Sequence, residues 1–156
     1  MRSYWPSVVA SGAMLLATDA LSIERTLGSY MLSACDFSQS QLAEFSHLRG
    51  SSEALLKYAT TYDDAAEELL QQRIFDTWLQ RNATELRQMI KDRNFNDVCT
   101  NMTHVDRTEL TLKWGHDMEV YIVAIDEIRE SFIIPFILQV NLSTLITSFL
   151  FNTGRT

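Results

Sequence analysis

The chain has 156 residues, 46% of them hydrophobic, with 20 acidic against 13 Lys and Arg side chains and a net charge of −7. That is one domain's worth of chain, able to bury a modest core. Its acidity excludes a nucleic-acid backbone as the main partner, because phosphate neutralisation needs clustered Lys and Arg; no nucleic acid is expected, and a protein target is the default.

The first twenty residues carry one cation, Arg2, then an uncharged run from Ser3 to Thr18, then small residues suited to a signal peptidase. A charged start, a short apolar run and a small-x-small site predict a signal peptide over 1–20, cleaved after Ala20 or Ser22. The competing reading is an amphipathic first helix of a domain that is not exported. Residues 21–61 are rich in Ser, Thr, Gln and Gly without sustained periodicity and read as a flexible leader, with a short helix from Ser40 to Leu48. Cys35 in this leader and Cys99 further on allow one disulfide in an oxidising compartment or two free thiols otherwise.

Within the leader stands Ser46-His47-Leu48-Arg49, followed by the acidic patch 63–68, with Asp63, Asp64, Glu67 and Glu68. A signal, a tetrapeptide near residue 50, an acidic patch and a helical remainder, in that order, resemble the secreted RxLR-dEER effectors of oomycete plant pathogens. Ser46 takes the place of the family's first arginine, and Leu69 follows Glu67-Glu68 where the family has arginine. The resemblance implies export, then entry into the plant host cell, cytoplasm, nucleus or host membrane. Ser46, His47, Leu48, Arg49 and the four acids would serve translocation. The remainder would bind host plant proteins to suppress immunity or cell death. The same acids also suit the first turns of a helix, where the macrodipole stabilises negative side chains.

Residues 62–156 predict an all-α fold, a small helical bundle. Apolar residues three and four apart run from Ala65 through Leu69, Leu70, Ile74 and Phe75 to Trp78 and Leu79. A second helix is expected over Glu85–Arg93, capped by Asn82 or Thr84, with Leu86, Met89 and Ile90 inward. A third begins near Asp106 or Thr108 and weakens at Gly115. From Asp117, Met118, Tyr121, Ile122, Ile125 and Ile128 share a helix face, although Val120–Val123 alone could be a strand. Trp78 and Trp114 are the expected core anchors. Residues 131–151 carry no charge, and as a helix they would be ~31 Å long, enough to cross a bilayer. The competing role is a buried last helix kinked at Pro135.

No nucleophile motif, phosphate-binding glycine loop or zinc spacing is present, so no enzyme, catalytic residue, cofactor or metal is expected. Cys99, His104, His116 and Asp117 lie close in sequence but match no ligand pattern. Three N-x-S/T triplets, at Asn82, Asn101 and Asn141, are N-glycosylation acceptors on a secretory route. Besides the effector, two functions fit these residues: a small membrane-associated helical protein held by residues 131–151, and a helical interaction bundle that is not secreted.

Overall fold

The computed structural model describes residues 4–92 and 94–153, with side chains through Phe149. The all-α expectation holds: six α-helices carry the chain, and no strand occurs among the described residues. They are α1 (Trp5–Ala34), α2 (Gln39–Tyr62), α3 (Asp64–Leu70), α4 (Trp78–Lys91), α5 (Phe95–Asn101) and α6 (His104–Thr153), with a π-helical segment over Gln71–Phe75.

The region expected to be a signal and a loose leader is helical and packed. Pro6 in the first turn of α1 suits a helix start, where its missing N–H has no partner to lose. From there Ala10, Met14, Ala17, Leu21, Met31 and Leu32 all point into the core. A chain cut after Ala20 would lose the first three. Cys35 ends α1 in the left-handed conformation, its N–H closing on the Met31 carbonyl. Ser38 then opens α2 with a capping box: its hydroxyl accepts from Gln41 N at 3.2 Å, while Gln41 Oε1 accepts from Ser38 N at 2.8 Å. Those paired bonds, and burial of Phe45, Leu56 and Ala59, stabilise a helix whose polar composition reads as linker.

Asp63 caps α3, accepting from Ala65 N at 2.9 Å and Ala66 N at 3.2 Å. The helix-start reading of the acidic patch is therefore correct. The run expected to continue to Leu79 instead widens into the π-segment and breaks at Asp76 and Thr77, so α4 begins at Trp78, earlier than Glu85. Trp78 is correspondingly exposed, at 48%, and not a core anchor. Leu86 and Ile90 are buried as expected, and Met89 half-buried. Gly115 breaks nothing: the two helices expected on either side of it are one, and α6 passes through Val120–Val123 and Pro135 as helix.

The core lies where α1 packs between α2 and α6. Trp114, Met118, Tyr121, Ile125 and Ile128 recur three and four apart along the inner face of α6. Trp114, fully buried, donates from Nε1 to the Arg25 carbonyl at 2.9 Å. Its ring passes so close to Gly28 that a Cβ there would lie 2.5 Å from the indole. Cys35 and Cys99 form a disulfide between the end of α1 and α5.

After Glu130 the inner face ends. From Ile134 to Phe149 every residue of α6 is exposed, so the expectation of a buried last helix fails. Both α1 and this end of α6 are long and apolar enough to cross a membrane, by length and composition; α1 is partly buried in the bundle, whereas none of the apolar stretch of α6 is.

Candidate functional site

Of the expected translocation residues, Ser46, His47, Leu48 and Arg49 lie in the middle of α2, and Arg49 Nε is held by Glu53 Oε1 at 2.9 Å. Asp63 is occupied by its cap and by the Ser7 hydroxyl at 2.6 Å, while Asp64, Glu67 and Glu68 face solvent. The structure brings the tetrapeptide and the acids to no common site. Cys99, His104, His116 and Asp117 do not converge either. Cys99 is in the disulfide, and Asp117 accepts from Asn82 at 3.1 Å and Lys113 at 2.7 Å. No cluster of three metal-ligating side chains exists among the described residues. Of the glycosylation triplets, Asn82 is half-buried, Asn101 is exposed at the end of α5, and Asn141 sits on the apolar end of α6.

Two arginines that sequence reading passed over are the chemically distinctive groups. Arg87 of α4 is completely buried, as is Glu24 of α1, and the guanidinium meets the carboxylate through Nε at 2.6 Å and Nη2 at 2.7 Å. Such a two-pronged pair fixes the relative register of α1 and α4. Burial is the largest influence on Arg87 and lowers its pKa, but the bond and charge of Glu24 outweigh it and hold the pKa above the ordinary value. Glu53 approaches Nη1 at 3.9 Å. Tyr121 completes the cluster by donating to Gln80 Oε1 at 2.8 Å. Burial, chiefly, pushes its hydroxyl up to about 12. A sequence signal existed: Glu24 falls on the buried stripe of α1 between Leu21 and Gly28, where an unpaired charge would be untenable.

Arg107, in the first turn of α6, is half-buried and has no carboxylate partner among the described residues. Its Nε is buried without a hydrogen bond, and Nη1 rests 3.8 Å from Cys35 Sγ. It lines a cavity of about 250 Å³ with Ser33, His104, Thr108, Thr111 and Leu112. The hydroxyls of Thr108 and Thr111 are bonded to helix carbonyls at 2.9 and 2.8 Å, so the free donors here are the guanidinium and the imidazole. The disulfide sulfur of Cys35 lies behind the guanidinium, 3.8 Å from Nη1. The cavity thus sets the outer part of a cationic guanidinium and an exposed imidazole beside the apolar side chain of Leu112.

The helical bundle thus carries a buried ion pair, a cationic pocket and a long exposed apolar helix. The family model described as nitrate and nitrite sensing matches residues 3–133 of the chain; the chain belongs to that family. No curated protein and no solved structure matches it. The family match covers both the expected signal and leader and the tetrapeptide, and it overturns the resemblance to oomycete effectors. Secretion into a host cell, virulence and suppression of plant immunity fall with it. The tetrapeptide and the acids have an ordinary origin, as helix surface and helix cap.

Proposed function

We propose that the chain is a membrane-held sensor bundle that binds nitrate or nitrite and performs no catalysis, with Arg107 as the anion's cationic contact. The single observation that carries the seat is a half-buried guanidinium without a carboxylate partner, open to a cavity, in a family described by oxyanion sensing. Nitrate is planar and weakly hydrated, so it loses little on leaving water for a cavity walled by Leu112, and its oxygens can accept charge-assisted hydrogen bonds from the Nη end of the guanidinium. Residues 131–149 would be the membrane hold: a charge-free helix of spanning length with no buried residue. The disulfide favours the oxidising side of that membrane for the bundle. On that side Asn101, exposed at the end of a helix, is the best-placed glycan acceptor where the host supplies the machinery.

The test is calorimetric titration of the full detergent-solubilised chain with sodium nitrate and nitrite, against chloride and acetate at the same ionic strength. Saturable heat with nitrate or nitrite, absent with acetate and lost in Arg107→Ala but kept in Arg81→Ala, is the expected result. Wild-type protein that responds equally to all four salts refutes the reading.

A further inference from the structure

Arg107 lacks a carboxylate, but it has a neighbour that chemistry can turn into an anion. Its Nη1 lies 3.8 Å from Cys35 Sγ, and Cys35 is joined to Cys99. These are the only two cysteines of the chain. As half of a disulfide the Cys35 sulfur is neutral and a weak acceptor, so the guanidinium keeps its full charge for a ligand from solution. A thiolate in the same place is a counter-ion in contact.

The two sulfurs stand in different surroundings. Cys99 is fully buried, with Sγ 3.5 Å from the Leu32 carbonyl oxygen. Once reduced, its S–H can donate to that carbonyl, a bond open only to the protonated form, which keeps this thiol neutral. Cys35 is 7% exposed and is the sulfur that meets the guanidinium. A cation in contact favours its thiolate. The Leu32 carbonyl and the C-terminal end of α1 oppose that charge, yet this oxygen and Nη1 both stand 3.8 Å from Cys35 Sγ, and a partial charge is outweighed by a whole one at the same distance. Asp36, Asp97 and Asp106, on the three segments that meet here, are exposed and screened by water.

We propose that the Cys35–Cys99 disulfide is a redox gate on the anion seat: reduction releases Cys35 as a thiolate that pairs with Arg107 and displaces nitrate or nitrite from it. The reductant is a dithiol. One of its thiolates attacks Cys35 Sγ, the more open sulfur; the S–S bond breaks, and Cys99 leaves with the electron pair and takes up a proton. The second thiolate then attacks the dithiol's own sulfur in the mixed disulfide, which departs as a cyclic disulfide. Cys35 is released as a thiolate, and the remaining proton goes to solvent. Two electrons pass from the dithiol to the protein, and Arg107 enters the condition of Arg87, a cation with its partner supplied. On an oxidising side of the membrane the disulfide is the resting state and the seat is open; reducing thiols close it. The gate rests on the reading of Arg107 as the seat.

The experiment is nitrate calorimetry on the full detergent-solubilised chain at about pH 8, before and after reduction with dithiothreitol, a neutral dithiol that does not compete as an anion. If the paired state outweighs the free one by about ten to one, affinity should fall about tenfold on reduction and return on reoxidation. Two variants separate the thiolate from mere loss of the cross-link. Cys99→Ser should bind nitrate weakly without any reductant, whereas Cys35→Ser should bind it about ten times more tightly than Cys99→Ser and ignore dithiothreitol. Alkylation of Cys35 by iodoacetamide in Cys99→Ser should show a pH midpoint below the ordinary thiol value of about 8.5, and adding Arg107→Ala should raise it. Equal weakening in the two cysteine variants, or a midpoint indifferent to Arg107→Ala, would overturn the proposal. Nitrate heat that survives reduction refutes the gate alone, whereas its absence from the oxidised wild type refutes the seat and the gate together.

Discussion

Arg87 and Arg107 are both drawn into the bundle, yet one is committed and the other available. Arg87 has two bonds to Glu24 and no solvent exposure; Arg107 has a cavity on one side and a sulfur on the other. A buried ion pair loses hydration on both partners and recovers it only while both are present, which makes the Arg87 region structural. A cation that keeps part of its exposure and lacks a counter-charge can take one from solution without dismantling anything. The lesson is that a candidate binding arginine is picked out less by its burial than by the lack of a carboxylate partner.

The comparison is sharpest in stability. Arg87→Ala or Glu24→Ala leaves a lone charge in the core and should cost roughly 3–5 kcal/mol in denaturant unfolding, whereas pairing Glu24→Leu with Arg87→Met should recover most of the loss. If either single change proves harmless, the pair is not the lock between α1 and α4. Next comes the disulfide: its cysteines are separated by 64 residues. Cys35→Ser with Cys99→Ser should lower stability by about 4 kcal/mol in the chain-entropy picture, as read by the shift between oxidised and reduced melting curves.

The Tyr121 hydroxyl gives the Arg87 region a pH signature. Its folded value of about 12 exceeds the ordinary 10.0, so its contribution is complete below pH 10 and is lost as the pH rises through about 12. The unfolding free energy should fall by roughly 3 kcal/mol across that window. Tyr121→Phe should flatten that step; an identical alkaline decline in the variant would detach the step from this residue. The smallest effect belongs to Arg107. Arg107→Ala should cost about 1 kcal/mol of stability, the ordinary loss for a half-buried side chain, while abolishing the nitrate heat, and a loss as large as that of Arg87→Ala would make Arg107 structural like Arg87.

What the sequence showed, and what it hid, follows from how each signal is encoded. The inner face of α6 was legible because Met118, Tyr121, Ile125 and Ile128 repeat at helical spacing, and Trp114 was rightly placed in the core. α2 was hidden because its stability comes from a capping box and a few buried apolar side chains in a Ser- and Thr-rich background, which periodicity detects poorly. Trp78 misled because a π-segment shifts the register just before it. At the site, no motif marked Arg87 or Arg107, since their roles depend on which carboxylates lie nearby in space. Only Glu24, a charge on an apolar stripe, pointed there from the sequence.

Helix α6 holds Arg107 in its first turn and the apolar stretch at its other end, with helical backbone throughout. At 1.5 Å per residue it is a rod of about 75 Å. A rod has no slack, so a shift or twist imposed on the turn around Arg107 is not absorbed by a loop but reappears as the same shift or twist deep in the apolar stretch. Compliance is concentrated at Pro135, whose missing N–H removes one rung of the ladder and makes sideways bending cheaper there than elsewhere. The mechanics of the helix thus favour axial and rotary motion from the pocket to Pro135, with lateral motion confined to the part beyond it.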